Sequence, residues 1–170
     1  LDAAFRLPVL VRAADLLTPE LRVPLPDVVL ALPVTPRAFP PAAEGAGRAL
    51  ALDGLDDCLC VPAQAVPLPD GPFTLEAWIL PEALDGRRGL VCKTESSEYG
   101  LFAEDGKPAF SVHLSGAYAT AQAAEPLLAA GRWQHVAGVF DGARVALYVD
   151  GVLRASAPAA GARTRNALPL

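Results

Sequence analysis

The stretch V139-F-D-G-A-R-V-A-L-Y-V-D-G-V-L-R-A-S156 decides how the rest of the chain is read. Two Asp-Gly pairs stand nine positions apart in it, separated by residues that alternate between apolar and other types. Asp-Gly accepts positive φ at little cost and is a strong signal for a tight hairpin turn. Successive hairpin turns emerge at opposite ends of the strand between them. Nine residues at about 3.3 Å each put Asp141 and Asp150 up to about 30 Å apart. A catalytic carboxylate pair must converge to about 5–10 Å. The stretch therefore reads as a meander of strands, not as an active site.

The same signal recurs upstream. Asp-Gly also occurs at 53–54, 70–71, 85–86 and 105–106. Short runs rich in β-branched, aromatic and aliphatic residues lie between these pairs: RALALD, CLCVP, PFTLEAWIL, GLVCKT, YGLFAE, PAFSVHL, AYATAQA, RWQHVAGVF, RVALYVD and LRASA. In FTLEAWIL, alternation puts Phe73, Leu75, Ala77 and Ile79 on one face. No ten-residue stretch after Arg48 carries a helical period, and LLAAGRW holds one loose turn at most. Many short strands closely spaced by turns predict an antiparallel sandwich or barrel.

Before Arg48 the grammar differs. Eight of the 17 prolines fall in the first 41 residues, too many for a long helix. Residues 1–41 read as a proline-rich leader or the tail of a preceding domain, with room for a turn or two of helix in RAADLL. AAEGAG, 42–47, reads as a linker, and 48–170 as the folded domain. The 14 basic residues are scattered and the net charge is -5, which argues against nucleic acid or an anionic membrane as partner. No run approaches the roughly 20 apolar residues that a membrane helix needs.

The phrases ALDGLDDCLCVP, GPFTLEAWILPE, GLVCKTESSEYGLF, GKPAFSVHL, GRWQHVAGVFDG and ALYVDGVLRAS follow one another in an order that resembles laminin-G-like, concanavalin A-like lectin/glucanase domains. The likeness is to the bacterial, pentraxin-like branch and spans about residues 48–157. It implies an all-β, antiparallel jelly-roll sandwich of two sheets. Because the family carries further strands after this point and this sequence ends at Leu170, the expected sandwich lacks its last strands. The resemblance also implies a recognition module of a secreted or surface protein, binding a glycan or a protein surface beside other domains of a longer chain. The alternative is a structural spacer with no small ligand, which the proline-rich leader favours.

Individual residues are weighed against that background. Trp133 and His135, two apart in GRWQHVA, would share a strand face and are the ligand-binding candidates, a stacking ring beside a polar neighbour. Packing beneath a loop is the plainer account of both. Trp78 reads as a packing residue and His113 as an ordinary strand residue. Asp53, Asp56 and Asp57 are the one acidic cluster with oxygen ligands suited to calcium, although turn formation also explains them. No other cofactor is implied.

Glucanases of this architecture carry Glu, Asp and Glu at alternating positions of one strand. No strand here reads that way: Glu76 stands alone, and Glu95 and Glu98 fall in a predicted loop. The domain is therefore expected not to be an enzyme. Of the three cysteines, Cys58 and Cys60 would share a strand face and be too constrained to bond each other. Pairing of either with Cys92 stays open, and three thiols without a nearby histidine make a poor zinc set.

Overall fold

The computed structural model describes residues 9–10, 49–54, 57–65 and 70–170. Nine strands follow in chain order: β1 (Val9–Leu10), β2 (Phe73–Ile79), β3 (Arg87–Thr94), β4 (Glu98–Glu104), β5 (Lys107–Leu114), β6 (Ala117–Gln122), β7 (Gln134–Phe140), β8 (Arg144–Val149) and β9 (Val152–Pro158). They form a five-stranded sheet of order β1-β2-β7-β8-β9 and a four-stranded sheet of order β3-β4-β5-β6. Every pairing is antiparallel. A single 3-10 turn, Ala63–Ala65, is the only helical element among the described residues.

The turns are where the sequence put them. Asp105-Gly106 joins β4 to β5 and Asp150-Gly151 joins β8 to β9, each with positive φ at both residues. Ser115-Gly116 does the same between β5 and β6. Asp141 and Asp150 lie at opposite ends of β8. The Asp141 carboxylate accepts the N–H groups of Ala143 and Arg144, at 2.9 and 2.8 Å, and so shapes its own loop. The Asp150 carboxylate accepts the His135 N–H at 2.9 Å and so fastens the start of β7.

The two sheets enclose one core. β2 alternates buried and exposed as its sequence predicts, presenting Phe73, Leu75, Ala77 and Ile79 inward. Phe73 meets Tyr99, Phe110 and Phe140 with ring centroids 5.1–6.0 Å apart. Gly138 makes this packing possible: a Cβ there would stand 2.2 Å from the Phe110 ring, so only a glycine lets that ring cross between the sheets.

Two expected strands are not strands. RALALD and CLCVP run as irregular chain over their described residues, apart from an isolated bridge at Cys60. A short apolar run forms a strand only beside a ladder partner, and among the described residues of these two runs pairing goes no further than that one bridge. Instead the Asp53 N–H donates to Asp57 Oδ2 at 3.0 Å, bending the chain. Further on, Val61 exchanges backbone hydrogen bonds of 2.6 and 2.8 Å with Leu170. Apart from β1, the predicted leader and linker lie outside the described residues.

After β9 the chain runs on as an extended strap. Its Thr164 carbonyl accepts the Glu98 N–H, and its own N–H donates to the His113 carbonyl, so it sits between the ends of β4 and β5. Glu98 is therefore not a loop residue. It opens β4 with φ 52° and carries a buried carboxylate. Arg163 Nε stands 3.1 Å from Glu98 Oε2 and Lys93 Nζ 3.4 Å from Oε1, and the Asn166 N–H donates to Oε1 at 3.2 Å. Both Glu98 and Arg163 side chains are only 4% exposed.

Candidate functional site

The outer face of the four-stranded sheet holds an open groove of about 500 Å³, within the range of small-ligand sites. Its floor follows from strand register. Arg87, Glu104 and Lys107 stand opposite one another across β3, β4 and β5, forming a row of alternating charge. The next row is Phe102, Ala109 and Gln122, and the next Gly100, Ser111 and Thr120. The Ser111 and Thr120 hydroxyls bond each other at 2.9 Å. The last row pairs His113 with Tyr118.

The two aromatic rings of the groove are not equivalent. Phe102 lies over Gly100, where a Cβ would come within 2.3 Å of the ring, and the Arg87 guanidinium caps it at 4.3 Å from the centroid. Its faces are already taken. Tyr118 is 43% exposed. Its hydroxyl accepts the Ser97 N–H and donates to the Ser97 carbonyl, both at 3.2 Å. It meets the His113 ring edge-on, with centroids 4.7 Å apart. The ring is thus held in one orientation with much of its surface in solvent.

The rim beside Tyr118 is fixed from behind. Ser97 Oγ donates to the Glu95 carbonyl at 3.0 Å and accepts from Asn166 Nδ2 at 2.7 Å. The strap that holds Glu98 thus also braces the 95–97 loop. Glu95 and Glu104 both border the groove but at opposite ends of β4. Six residues of strand separate them by about 20 Å, twice what a glycosidase pair tolerates.

The sequence-predicted residues lie elsewhere. His135, in β7, is on the outer face of the five-stranded sheet. There it faces Trp78 across the ladder, with ring centroids 5.3 Å apart, and Glu76 Oε2 stands 3.4 Å from its Nε2. The tryptophan that meets His135 is thus Trp78. Trp133 sits half-buried just before β7. Between them Gln134 is buried and bonded through both amide atoms, accepting the Ala129 N–H at 2.6 Å and donating to the Leu127 carbonyl at 3.0 Å. Of the acidic cluster, Asp57 receives the Asp53 N–H, and Asp56 lies outside the described residues. No group of three or more His, Cys, Asp or Glu among the described residues is arranged to hold a metal ion. Cys92 is half-buried on β3, its thiol donating to the Leu101 carbonyl at 3.4 Å.

Sequence reasoning missed the groove, since Phe102 and Tyr118 each read as an ordinary strand residue and Arg87 fell in a loop ahead of the run GLVCKT, whereas β3 begins at Arg87 itself. The one available signal was Gly100, two residues before Phe102 on the same strand face, a gap with a ring to fill it.

A family model described as the concanavalin A-like lectin/glucanases superfamily, laminin G 3, matches residues 53–170. The chain belongs to that family. As a laminin G-like domain it is of a kind that serves in binding, recognition or structural roles. Among solved structures it is similar to the LG4-5 domains of the mouse laminin alpha1 chain, at 24% identity and a TM-score of 0.43. That alignment covers 59% of this laminin G-like chain and 26% of the mouse one. No match is found among curated proteins. No helix of the described residues is long and apolar enough to cross a membrane.

Proposed function

We propose that this laminin G-like domain is a non-catalytic recognition module of an extracellular or surface protein, and that it binds glycan in the groove of the four-stranded sheet. The observation that carries the reading is the Tyr118 ring, fixed by Ser97 and His113 yet 43% exposed, beside a floor of hydroxyls. A sugar's apolar face stacks on such a ring, while Ser111, Thr120 and Gln122 offer hydrogen bonds in place of water. The distance between Glu95 and Glu104 supports binding without hydrolysis.

A glycan array probed with the purified domain tests this, followed by titration of any hit against two variants. Tyr118→Ala is expected to abolish binding and His135→Ala to leave it unchanged. The reverse pattern would move the site to the Trp78–His135 side of the sandwich. A second reading, docking to a protein surface, is favoured by Val152 and Leu153 of β9, 49% and 51% exposed. In that case Leu153→Glu, and not Tyr118→Ala, would release the partner.

A further inference from the structure

Cys58 and Cys60 lie in the irregular segment ahead of Val61, both exposed, with their sulfurs 3.5 Å apart. The sequence reading placed them on one face of a regular strand, where they would be too constrained to join. The segment is not a regular strand, and in it the two sulfurs stand in contact. A disulfide needs a separation near 2.05 Å, so about 1.5 Å of side-chain movement remains. Cys92 differs on every count. It is half-buried, and burial pushes its thiol up to about 11, which keeps it protonated and unreactive near neutral pH.

We propose that Cys58 and Cys60 form a dithiol–disulfide pair that exchanges with small-molecule disulfides. One cysteine thiolate attacks a low-molecular-weight disulfide, RSSR, forming a mixed disulfide and expelling one thiolate, which takes up a proton to become RSH. The second cysteine, two residues away and already in contact, loses its proton to solvent and attacks the protein sulfur of that mixed disulfide. The second RSH leaves. The protein pair loses two electrons and two protons and RSSR gains them, giving two RSH. Exposure admits the oxidant, and proximity makes the second step intramolecular and fast.

The position gives the exchange a structural neighbour. Cys60 directly precedes Val61, whose N–H and carbonyl both bond Leu170. Ring closure therefore takes place beside the clasp between this segment and the C-terminal strap.

The test uses the full chain equilibrated with oxidised and reduced glutathione over a series of ratios, quenched with an alkylating agent and mapped by mass spectrometry. The expected result is paired loss of alkylation at positions 58 and 60, two hydrogens lost from one peptide, and Cys92 still alkylated after unfolding. Cys58→Ser and Cys60→Ser should each instead retain glutathione on the remaining cysteine. A wild-type chain that stays reduced, stops as a glutathione adduct, joins Cys92 or dimerises through these thiols would overturn the proposal.

Discussion

Asp141 is an exposed carboxylate, yet it accepts the N–H groups of Ala143 and Arg144 and pairs with the Arg144 guanidinium at 3.2 Å. Those backbone hydrogen bonds first, and the guanidinium after them, hold its pKa below the ordinary carboxylate value. Asp70 is held down in the same direction by its hydrogen bond to Arg165. A carboxyl group depressed in the folded state stabilises above its unfolded value and loses that contribution as pH falls through the folded one. Melting temperature should therefore drop below about pH 4, and Asp141→Asn with Asp70→Asn should flatten that acid limb, read by circular dichroism across pH. Gly138 offers a second single-residue test. Gly138→Ala drives a methyl into Phe110 and should cost about 1–3 kcal/mol in denaturant unfolding. Phe110→Leu in the same chain should recover part of the loss.

The strap and β4 show what an element needs beyond its own residues. The Glu98 carboxylate, buried under the strap, is ion-paired with Arg163 through Oε2 and with Lys93 through Oε1, and Oε1 also accepts the Asn166 N–H. Removing one partner of such a pair strands a charge away from water. Arg163→Met should therefore destabilise by about 3–5 kcal/mol, and Glu98→Gln added to it should restore part of that, measured as a double-mutant cycle. None of this could be read from the sequence. Glu98 follows ESS and looks like loop, and Arg163 lies 65 positions on in ARTRNALPL, which has no strand period. The strands from β2 to β9 were legible because apolar alternation and turn dipeptides are local facts, and β2 keeps that alternation throughout. RALALD is as short and apolar as the runs that became strands, yet its described residues 49–53 form none, because pairing depends on a neighbour that a local run does not specify.

At the scale of the whole molecule, register makes the groove. Arg87, Phe102, Ser111 and Tyr118 come from four strands and stand together only because each ladder fixes which residue faces which. Trp133 and His135 drew attention in the sequence because they are close in it, whereas a sheet-face site collects residues far apart in the chain. The strap then ties the groove to the C-terminal end of the domain: Asn166 Nδ2 holds Ser97 Oγ, and Ser97 holds the Tyr118 hydroxyl through its backbone. Asn166 itself does not line the groove. Asn166→Ala should thus leave the ring in place but loosen its anchor, weakening glycan binding by up to about tenfold, equivalent to about 1.4 kcal/mol. Trp78→Ala, on the opposite sheet, should leave affinity unchanged. Calorimetric titration of both variants with the same glycan decides the matter, because undiminished binding by Asn166→Ala would mean that the rim holds its shape without the strap.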